Sequence, residues 1–275
     1  MGIGERMDFS ILITDHIPNY HFLAGGQCFP LYLYEKQKNT TQQNLLEEHG
    51  DGEYKKTDAI TDDALKYFTD IYSSQPSFVK FTKEDLFYYI YGLLHSREYC
   101  EKYADNLSKQ LPRIPAVKNF DDFMLFSQSG RKLADIHINY EQCKKHPLTI
   151  EYLGKEIKSL HEMPEQDLLV EKMKFPKNGK ITDKTTIIYN NKIILKNIPI
   201  EAFEYEVNGR PAIDWVLERQ CVSINKDSNI VNDANDFAIQ TQSNPAYIIE
   251  LLQSIISVSI QTIDIVESMP KFEMV

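Results

Sequence analysis

A cluster of lysines between residues 172 and 196 is the part of the sequence whose chemistry is easiest to name. Lysine ammonium groups bind phosphate oxygens, and asparagine amides carry the donor and acceptor pair that matches the edge of an adenine. The cluster comprises Lys172, Lys174, Lys177, Asn178, Lys180, Lys184, Asn190, Asn191, Lys192 and Lys196. This pattern suits a DNA contact, but from the residues alone a solvated hairpin with ordinary surface lysines is the better interpretation.

Three further cations form a second rank of candidates for phosphate contacts. They are Arg131, Lys132 and Arg210. Arg131 lies on a predicted helix that also carries Leu133 and Ile136, so an intramolecular ion pair explains it equally well. Tyrosines at helical spacing and a lone tryptophan on a short apolar helix are more often core than stacking platforms. We therefore predict that Tyr88, Tyr89, Tyr91 and Trp215 are core residues.

Motifs for catalysis, cofactors and metals are missing from the sequence. There is no phosphate-cradling G-x-x-x-x-G-K-[ST], no G-x-G-x-x-G, no G-x-S-x-G and no H-E-x-x-H. The seven histidines are scattered, and Glu156-Ile157-Lys158 is too short a match to a nuclease E-x-K to carry weight. The four cysteines are far apart in the chain, which favours a reducing compartment over a disulfide framework. We expect no catalytic residue, no cofactor and no metal site.

Composition and charge narrow the class of protein. The chain has 275 residues, of which 42% are hydrophobic, and a net charge of −10, so a disordered protein and a uniformly basic coat are both excluded. Residues 141–200 hold eleven lysines against eight acids, a local balance of +3. The most apolar stretch, Ile248–Val258, is interrupted by polar residues and is predicted to be too short to span a bilayer. These features predict a soluble, cytoplasmic protein with no membrane partner.

The elements that must position these side chains change in character along the chain. Phe9–Ile13 and Cys28–Tyr34 are predicted strands separated by turn residues at Asn19 and Gly25-Gly26, and the polar residues 37–58 are a predicted linker. Helical apolar stripes then dominate to about Tyr140. The candidate helix caps are Thr61 or Asp58, Thr82 with Asp85 in a capping box, Ser96 and Asn119. Gly130 weakens the prediction that the last of these helices is unbroken.

Short β-rich runs replace the helical stripes from about Thr149. Asn190-Asn191 predicts a two-residue hairpin turn between Thr185–Tyr189 and Lys192–Leu195, because asparagine tolerates positive φ. Pro211 is predicted to begin a short helix, Asn225–Asn235 to be a loop, and Asn244-Pro245 to precede a long helix that ends by Pro270. The predicted class is α+β: a helical N-terminal half, a following hairpin-rich β segment and a long C-terminal helix.

Four long blocks in a fixed order resemble one known family. They are NYHFLAGGQCFPLYLYE (Asn19–Glu35), DLFYYIYGLLHSREYCEKYADNLSKQLPRIP (Asp85–Pro115), SGRKLADIHINYE (Ser129–Glu141) and IDWVLERQ (Ile213–Gln220). Together they resemble the C-terminal region of single-polypeptide Type I restriction-modification enzymes, the Type ISP group. The resemblance covers the chain from about Asn19 to Asn235. With it, a DNA contact and a solvated hairpin become equally good interpretations of the lysine cluster.

The resemblance implies a role within a longer enzyme. That family joins a nuclease, a helicase-like ATPase, an adenine methyltransferase and a C-terminal target recognition domain. The resemblance implies that residues 1–57 are the tail of the methyltransferase region with a linker, and that residues 58–275 are the target recognition domain. The family's N-P-P-Y-type methylation motif does not occur in this chain. The implied partners are double-stranded DNA and the methyltransferase and helicase-nuclease domains of the parent enzyme.

Two other functions remain open at this point. The first is a structural docking module or gene remnant that binds no DNA, which the net charge of −10 favours for the isolated chain. The second is an enzyme with an unrecognised site gathered from distant segments, which no motif recommends.

Overall fold

The computed structural model describes residues 9–18, 26–36 and 54–275. These residues fall into two compact units. The helical unit consists of the described residues from Ile13 to Ala134 together with Met269–Val275. The mixed unit consists of residues 9–12 and Asp135–Ser268.

The helical unit is a short hairpin followed by helices. Its elements in chain order are β1 (Tyr32–Lys36), β2 (Tyr54–Asp58), α1 (Asp62–Tyr72), α2 (Lys83–Leu93), α3 (Arg97–Lys102), α4 (Ala104–Leu107) and α5 (Phe120–Ile138). Strands β1 and β2 pair in antiparallel fashion, with Tyr34 opposite Lys56. Helix α5 runs without interruption through Gly130, so the doubt about its continuity is removed.

Side-chain caps begin three helices where the sequence predicts them, at Thr61, Thr82 and Ser96, whereas the amide of the predicted cap Asn119 donates to the Asp122 carboxylate at 2.9 Å. The Thr61 hydroxyl accepts the Ala64 N–H at 3.2 Å, and Ser96 caps α3. Thr82 and Asp85 form a complete capping box, in which each side chain accepts the other's backbone N–H. These bonds satisfy donors that the first helical turn leaves without intrahelical partners.

Three buried tyrosines hold an extended segment against the helices. The hydroxyls of Tyr99, Tyr89 and Tyr72 donate to the carbonyls of Arg113, Pro115 and Val117, at 2.8, 2.6 and 2.8 Å. The two-residue spacing of the acceptors is the period of extended chain, whose alternate carbonyls face one side. Burial raises the pKa of the Tyr99 hydroxyl to about 12, so it remains a donor at neutral pH.

Helices α2 and α5 approach each other at two glycines. A methyl group at Gly92 would lie 2.2 Å from the Phe126 carbonyl oxygen, and one at Gly130 would lie 1.9 Å from the Tyr88 carbonyl oxygen. The Ser127 hydroxyl also donates to the Asp85 carbonyl at 2.8 Å. Gly130 is therefore a contact residue between backbones and not a helix breaker.

The mixed unit is built on a four-stranded antiparallel sheet. Its elements are β3 (Thr149–Tyr152), β4 (Lys155–Ile157), β5 (Lys177–Asn178), β6 (Ile181–Thr182), β7 (Thr186–Ile188), β8 (Ile193–Lys196), β9 (Glu206–Val207), β10 (Arg210–Pro211), α6 (Ala212–Arg219), β11 (Val222–Ile224), β12 (Val231–Asp233), α7 (Ala234–Asp236) and α8 (Tyr247–Glu267). The main sheet has the order β4-β3-β8-β7. Three short hairpins, whose strands are two or three residues long, lie outside it: β5-β6, β9-β10 and β11-β12.

One face of the main sheet forms the core of this unit. Ile150, Leu195 and Ile187 are neighbours across three strands, and all are buried. Helices α6 and α8 supply further core side chains, including Ile213 and Leu252. The observed architecture confirms the predicted α+β class, with helices first, hairpins next and a long helix last.

The first predicted strands differ from the structure. Phe9–Ile13 forms no strand, and these half-buried residues make no ladder within the described part of the chain. The predicted Cys28–Tyr34 strand begins only at Tyr32. The predicted linker is wrong at its end, because Tyr54–Asp58 is a strand that pairs with β1. Asn19, Gly25 and residues 37–53 lie outside the described residues.

Two turn predictions are also corrected. The β7–β8 connection is longer than two residues, and neither Asn190 nor Asn191 has a positive φ. Instead the Asn190 side-chain oxygen accepts the backbone N–H groups of Lys192 and Ile193 at 2.9 and 2.8 Å. The predicted loop Asn225–Asn235 is shorter than expected, because Val231–Asp233 pairs with Val222–Ile224.

Helix α8 is longer than the apolar stretch seen in the sequence. It runs for 21 residues, which by length and composition is enough to cross a membrane, so the prediction of a stretch too short to do so is wrong. Ile248, Leu252 and Ile256 are fully buried within the mixed unit. This helix therefore serves as a core helix of its unit.

Candidate nucleic-acid interface

The most exposed part of the lysine cluster is the β5-β6 hairpin. Lys177 lies opposite Thr182 and Asn178 opposite Ile181, so Gly179 and Lys180 form a two-residue turn. Gly179 has φ of +63°, and Lys180 is not among the residues with positive φ. Glycine at the first turn position with this geometry is typical of a type II′ turn. The turn places Lys180 at the exposed tip of the hairpin.

The hairpin extends from one edge of the main sheet. Just before it, the backbone of Lys174 exchanges hydrogen bonds of 3.1 and 2.8 Å with Ile188 on the outermost strand, β7. Just after it, the Asp183 N–H donates to the Pro176 carbonyl at 3.0 Å. The Asp183 carboxylate accepts from the hydroxyl and N–H of Thr185, and these bonds hold its pKa below the usual range. The base of the hairpin is therefore fixed at both ends.

The cations of the cluster divide into two groups. Four lysines are exposed and form no ion pair within the part of the chain that the structure describes: Lys172, Lys174, Lys177 and Lys180. The other three contact groups inside the protein. The Lys184 ammonium lies 4.8 Å from the centroid of the Phe203 ring, Lys192 pairs with Asp167, and Lys196 pairs with Glu151.

Asp167 holds both Lys192 and Asn190, the first through its buried carboxylate and the second through its backbone carbonyl. Asp167, whose side chain is only 8% exposed, accepts hydrogen bonds from Lys192 and from the Tyr152 hydroxyl. The Lys192 and Tyr152 bonds hold the pKa of Asp167 below its usual range. The Asn190 amide donates to the carbonyls of Asp167 and Leu169 at 2.8 and 3.0 Å. Both ends of the Asn190 side chain are thus used in fixing the β7–β8 connection.

The two other asparagines of the cluster are exposed. Asn178 lies in β5 beside Lys177, and Asn191 lies in the β7–β8 connection. Their side chains make no hydrogen bond within the described residues. Of the three candidate amides, these two retain donor and acceptor atoms for a ligand.

The second-rank cations also separate into partnered and exposed residues. Arg131 donates to Glu84 and Asp85, each at 2.8 Å, and lies 4.3 Å from the Tyr88 ring centroid. This geometry agrees with the intramolecular ion pair that the sequence left open. Lys132 is exposed.

Arg210 lies in β10, beside the tryptophan of the mixed unit. It pairs with Glu218, and its guanidinium carbon lies 4.5 Å from the Trp215 ring centroid. Trp215 is half-buried, with its indole N–H donating to the Val207 carbonyl at 2.8 Å. Among the predicted core aromatics, Tyr89 and Tyr91 are buried, whereas Trp215 and Tyr88 are covered on one side by arginine.

An open polar pocket lies elsewhere in the mixed unit, between α8 and the residues that follow α5. Glu141, Lys145 and Tyr247 line it, among other polar residues. Its charged groups have partners in the protein: Lys145 donates to Ser254 at 2.7 Å, and Tyr247 donates to Glu141 at 2.6 Å. Across residues 9–18, 26–36 and 54–275 no group of three or more metal-ligating side chains comes together.

The sequence held two hairpin signals that the periodicity analysis missed. Asn178-Gly179-Lys180 places glycine at a two-residue turn, and Asn208-Gly209 forms the turn between β9 and β10 with both φ values positive. An Asn-Gly pair between short strands is a strong hairpin signal. Applied to residues 177–182, this signal would have located the projecting hairpin, with the turn placed at Asn178-Gly179, one residue before the observed Gly179-Lys180 turn.

Comparison with known families and structures gives a consistent answer. Residues 1–251 match the family described as the Type ISP C-terminal specificity domain. No curated protein matches the chain. Among solved structures, the ATP-dependent Type ISP restriction-modification enzyme LlaBIII bound to DNA shares 36% identity with a TM-score of 0.76. That match covers 98% of this chain and 15% of the LlaBIII chain.

Two further structures are similar over nearly the whole chain. A nuclease-deletion mutant of the Type ISP enzyme LlaGI, in complex with a DNA substrate mimic, shares 37% identity with a TM-score of 0.70, covering 100% of this chain and 21% of that one. The DrdV–DNA complex, solved by cryoEM, shares 28% identity with a TM-score of 0.72, covering 98% and 24%. The chain therefore spans less than a quarter of the length of these proteins.

Proposed function

This chain belongs to the family of Type ISP C-terminal specificity domains, and on that premise we propose that it recognises a target sequence in double-stranded DNA. The three similar structures are of DNA-bound proteins, which supports DNA as the ligand here. The proposed role is non-catalytic. The domain presents its site to an adenine methyltransferase and a helicase-nuclease, the proposed partners in a parent enzyme that acts in the cytoplasm.

The observation that carries this proposal is the β5-β6 hairpin. It brings Lys177 and Lys180 together on an exposed two-stranded ribbon, with Lys172 and Lys174 just before it. A two-stranded ribbon is narrow enough to enter the major groove, and lysines without internal partners are available to phosphates. We assign phosphate contacts to these four lysines and base reading to Asn178, with Asn191 as a second candidate.

The division of labour along the chain is also proposed. Residues 1–57 would belong to the tail of the methyltransferase region and its linker, and residues 58–275 to target recognition. The compact units divide the described chain elsewhere, between Ala134 and Asp135. The two boundaries differ in kind: the first separates functional regions of a parent enzyme, and the second separates packed cores, and the two need not coincide.

A docking module that binds no DNA is the alternative, and one surface favours it. In the β11-β12 hairpin Val222, Ile224 and Val231 share one face and are 36–63% exposed, while Ser223 and Asn232 share the other. An exposed apolar face of this kind is typical of a protein contact. Together with the net charge of −10, it supports docking on other domains of the parent enzyme.

Neutralising the hairpin lysines separates these two functions. We expect the double variant K177Q/K180Q to weaken binding to random-sequence duplex DNA and to reduce the slope of log K against log salt by about 2, because each lost phosphate contact removes about 0.9. Fluorescence anisotropy titrations at several salt concentrations would measure both quantities. The matched control is K155Q/K158Q, which removes the same charge at the opposite, β4 edge of the sheet.

Equal slopes for the two double variants would remove the hairpin from the phosphate contacts. Absence of binding by the unaltered chain at low salt would favour the docking module instead. Binding that is restored only with the methyltransferase region present would retain DNA recognition as a joint property of the two domains.

A further inference from the structure

A second exposed ribbon lies in the helical unit, formed by β1 and β2. Residues opposite each other in an antiparallel pair project to the same face, and side chains alternate along each strand. One face therefore carries Tyr32, Tyr34 and Lys36 from β1 and Tyr54, Lys56 and Asp58 from β2. Strand β1 overlaps the end of the predicted strand Cys28–Tyr34, β2 lies at the end of the predicted linker, and no ligand was predicted for either.

Tyrosine and lysine alternate across this face. Tyr34 lies opposite Lys56, and Lys36 lies opposite Tyr54. Tyr34 is 64% exposed and Tyr54 is 58% exposed, so both side chains are accessible to a ligand. The Lys56 ammonium lies 3.5 Å from the centroid of the Tyr32 ring, and this contact holds the charge over the face.

The acidic groups of the ribbon are offset by nearby cations. Asp58 lies 3.8 Å from the Lys83 ammonium at the start of α2, which pairs more closely with Asp62, at 2.7 Å. Glu35 projects from the opposite face, where it lies across from Lys55. The tyrosine–lysine face therefore carries two lysines and one aspartate, a local balance of +1 on a chain of net charge −10.

We propose that the tyrosine–lysine face of the β1-β2 hairpin is a second DNA contact, distinct from the lysine hairpin of the mixed unit. Lys56 binds a phosphate, and the hydroxyls of Tyr34 and Tyr54 donate to sugar–phosphate oxygens. Ammonium and phenol groups are both common donors to the DNA backbone, and these contacts position a protein without reading sequence. The inference rests on the proposed DNA recognition and adds a site to it.

The charge and the hydroxyls of this face are testable separately. The full chain and its K56Q variant would be titrated with duplex DNA at salt concentrations between 50 and 200 mM. The loss of affinity in K56Q, relative to the unaltered chain, should be about threefold larger at 50 mM than at 200 mM salt. The reason is that one phosphate contact contributes about 0.9 to the slope of log K against log salt. The double variant Y34F/Y54F keeps both rings and removes only the hydroxyls. It should bind about tenfold more weakly, with an unchanged salt slope, since hydrogen bonds are lost but no charge.

Matched controls lie in the same unit. Lys102 is exposed and lies 5.3 Å from the Phe272 ring centroid, so K102Q removes a lysine in a similar cation–π contact. Tyr67 is 57% exposed on α1, so Y67F removes an equally exposed hydroxyl. Neither control should change the affinity more than about twofold.

The outcomes separate this inference from the proposed function. If the unaltered chain and K102Q bind DNA but K56Q and Y34F/Y54F bind equally well with the same slope, the ribbon is not a DNA contact while DNA recognition stands. If the unaltered chain binds no DNA, either alone or with the methyltransferase region restored, both proposals fail together. Weaker binding by both ribbon variants, with both controls unchanged, establishes the second contact.

Discussion

The individual side chains of the lysine cluster are not equivalent, although the sequence presents them as one group. Lys192 and Lys196 neutralise Asp167 and Glu151, and Asn190 uses its amide to fix the β7–β8 connection. Lys177 and Lys180 have no such partner among the described residues. Because a lysine paired with a carboxylate must give up that ion pair to bind a phosphate, the lysines without a carboxylate partner are the stronger DNA candidates.

The pairing of Lys192 with Asp167 predicts a specific pH dependence of stability. Asp167 has a lowered pKa in the folded protein, so its ion pair stabilises the fold above the unfolded-state pKa near 4 and is lost as the pH falls through the lower folded value. We expect K192Q to unfold more easily than the unaltered protein at pH 7. The difference should shrink progressively below about pH 4, where Asp167 becomes protonated.

Urea unfolding followed by circular dichroism from pH 2.5 to 7 would measure this difference. K180Q is the control, since Lys180 is exposed at a hairpin tip and its replacement should leave the unfolding curve unchanged at every pH. A pH-independent loss of stability in K192Q would show that the lysine acts through packing of its methylene groups and not through its charge.

At the scale of secondary structure, the helical unit depends on the close approach of α2 and α5. Neither helix has room for a methyl group at the crossing, because the neighbouring groups are backbone carbonyls that cannot rotate away. The same crossing carries the bond from Ser127 to the Asp85 carbonyl and the pairing of Arg131 with Asp85. The capping box of α2 is thus tied directly to α5.

Replacing Gly130 by alanine should therefore destabilise the protein, although alanine is the better helix former by about 1 kcal/mol. A methyl group 1.9 Å from the Tyr88 carbonyl oxygen forces the helices apart, and overpacking of this kind costs about 1–3 kcal/mol or more. The melting temperature of G130A, compared with that of the exposed α5 variant Q128A, would measure the effect. An unchanged or higher melting temperature for G130A would contradict the backbone contact.

At the scale of the whole molecule, the net charge of −10 and a DNA-binding role are compatible because the charge is unevenly distributed. Residues 141–200 carry a balance of +3, and the four exposed lysines of the cluster, Lys172, Lys174, Lys177 and Lys180, lie in or just before the hairpin beyond the β7 edge of the main sheet. Affinity for DNA depends on the few cations that touch phosphates, not on the sum over the chain.

This distribution predicts the salt dependence of the intact chain. Contacts from the four unpartnered lysines Lys172, Lys174, Lys177 and Lys180 should give a slope of log K against log salt of about −4, because each phosphate contact contributes about −0.9. The β1-β2 ribbon would make the slope steeper by about 1. Titrations with random-sequence duplex DNA over a tenfold range of salt would provide the value, and a slope near zero would exclude backbone contacts by either ribbon.

Local chemistry in the sequence was sufficient to predict the α+β class, the helix caps at Thr61, Thr82 and Ser96, the β7-β8 hairpin and the family. Each of these depends on residues close together in the chain, or on blocks long enough to be specific. The roles of the individual cations were not predictable in the same way. Lys192 and Asp167 are 25 residues apart, and Arg131 and Asp85 are 46 residues apart. Whether a lysine or arginine is held by a carboxylate or left for a phosphate depends on such distant neighbours. Those neighbours are brought together only when the sheet and the helices pack.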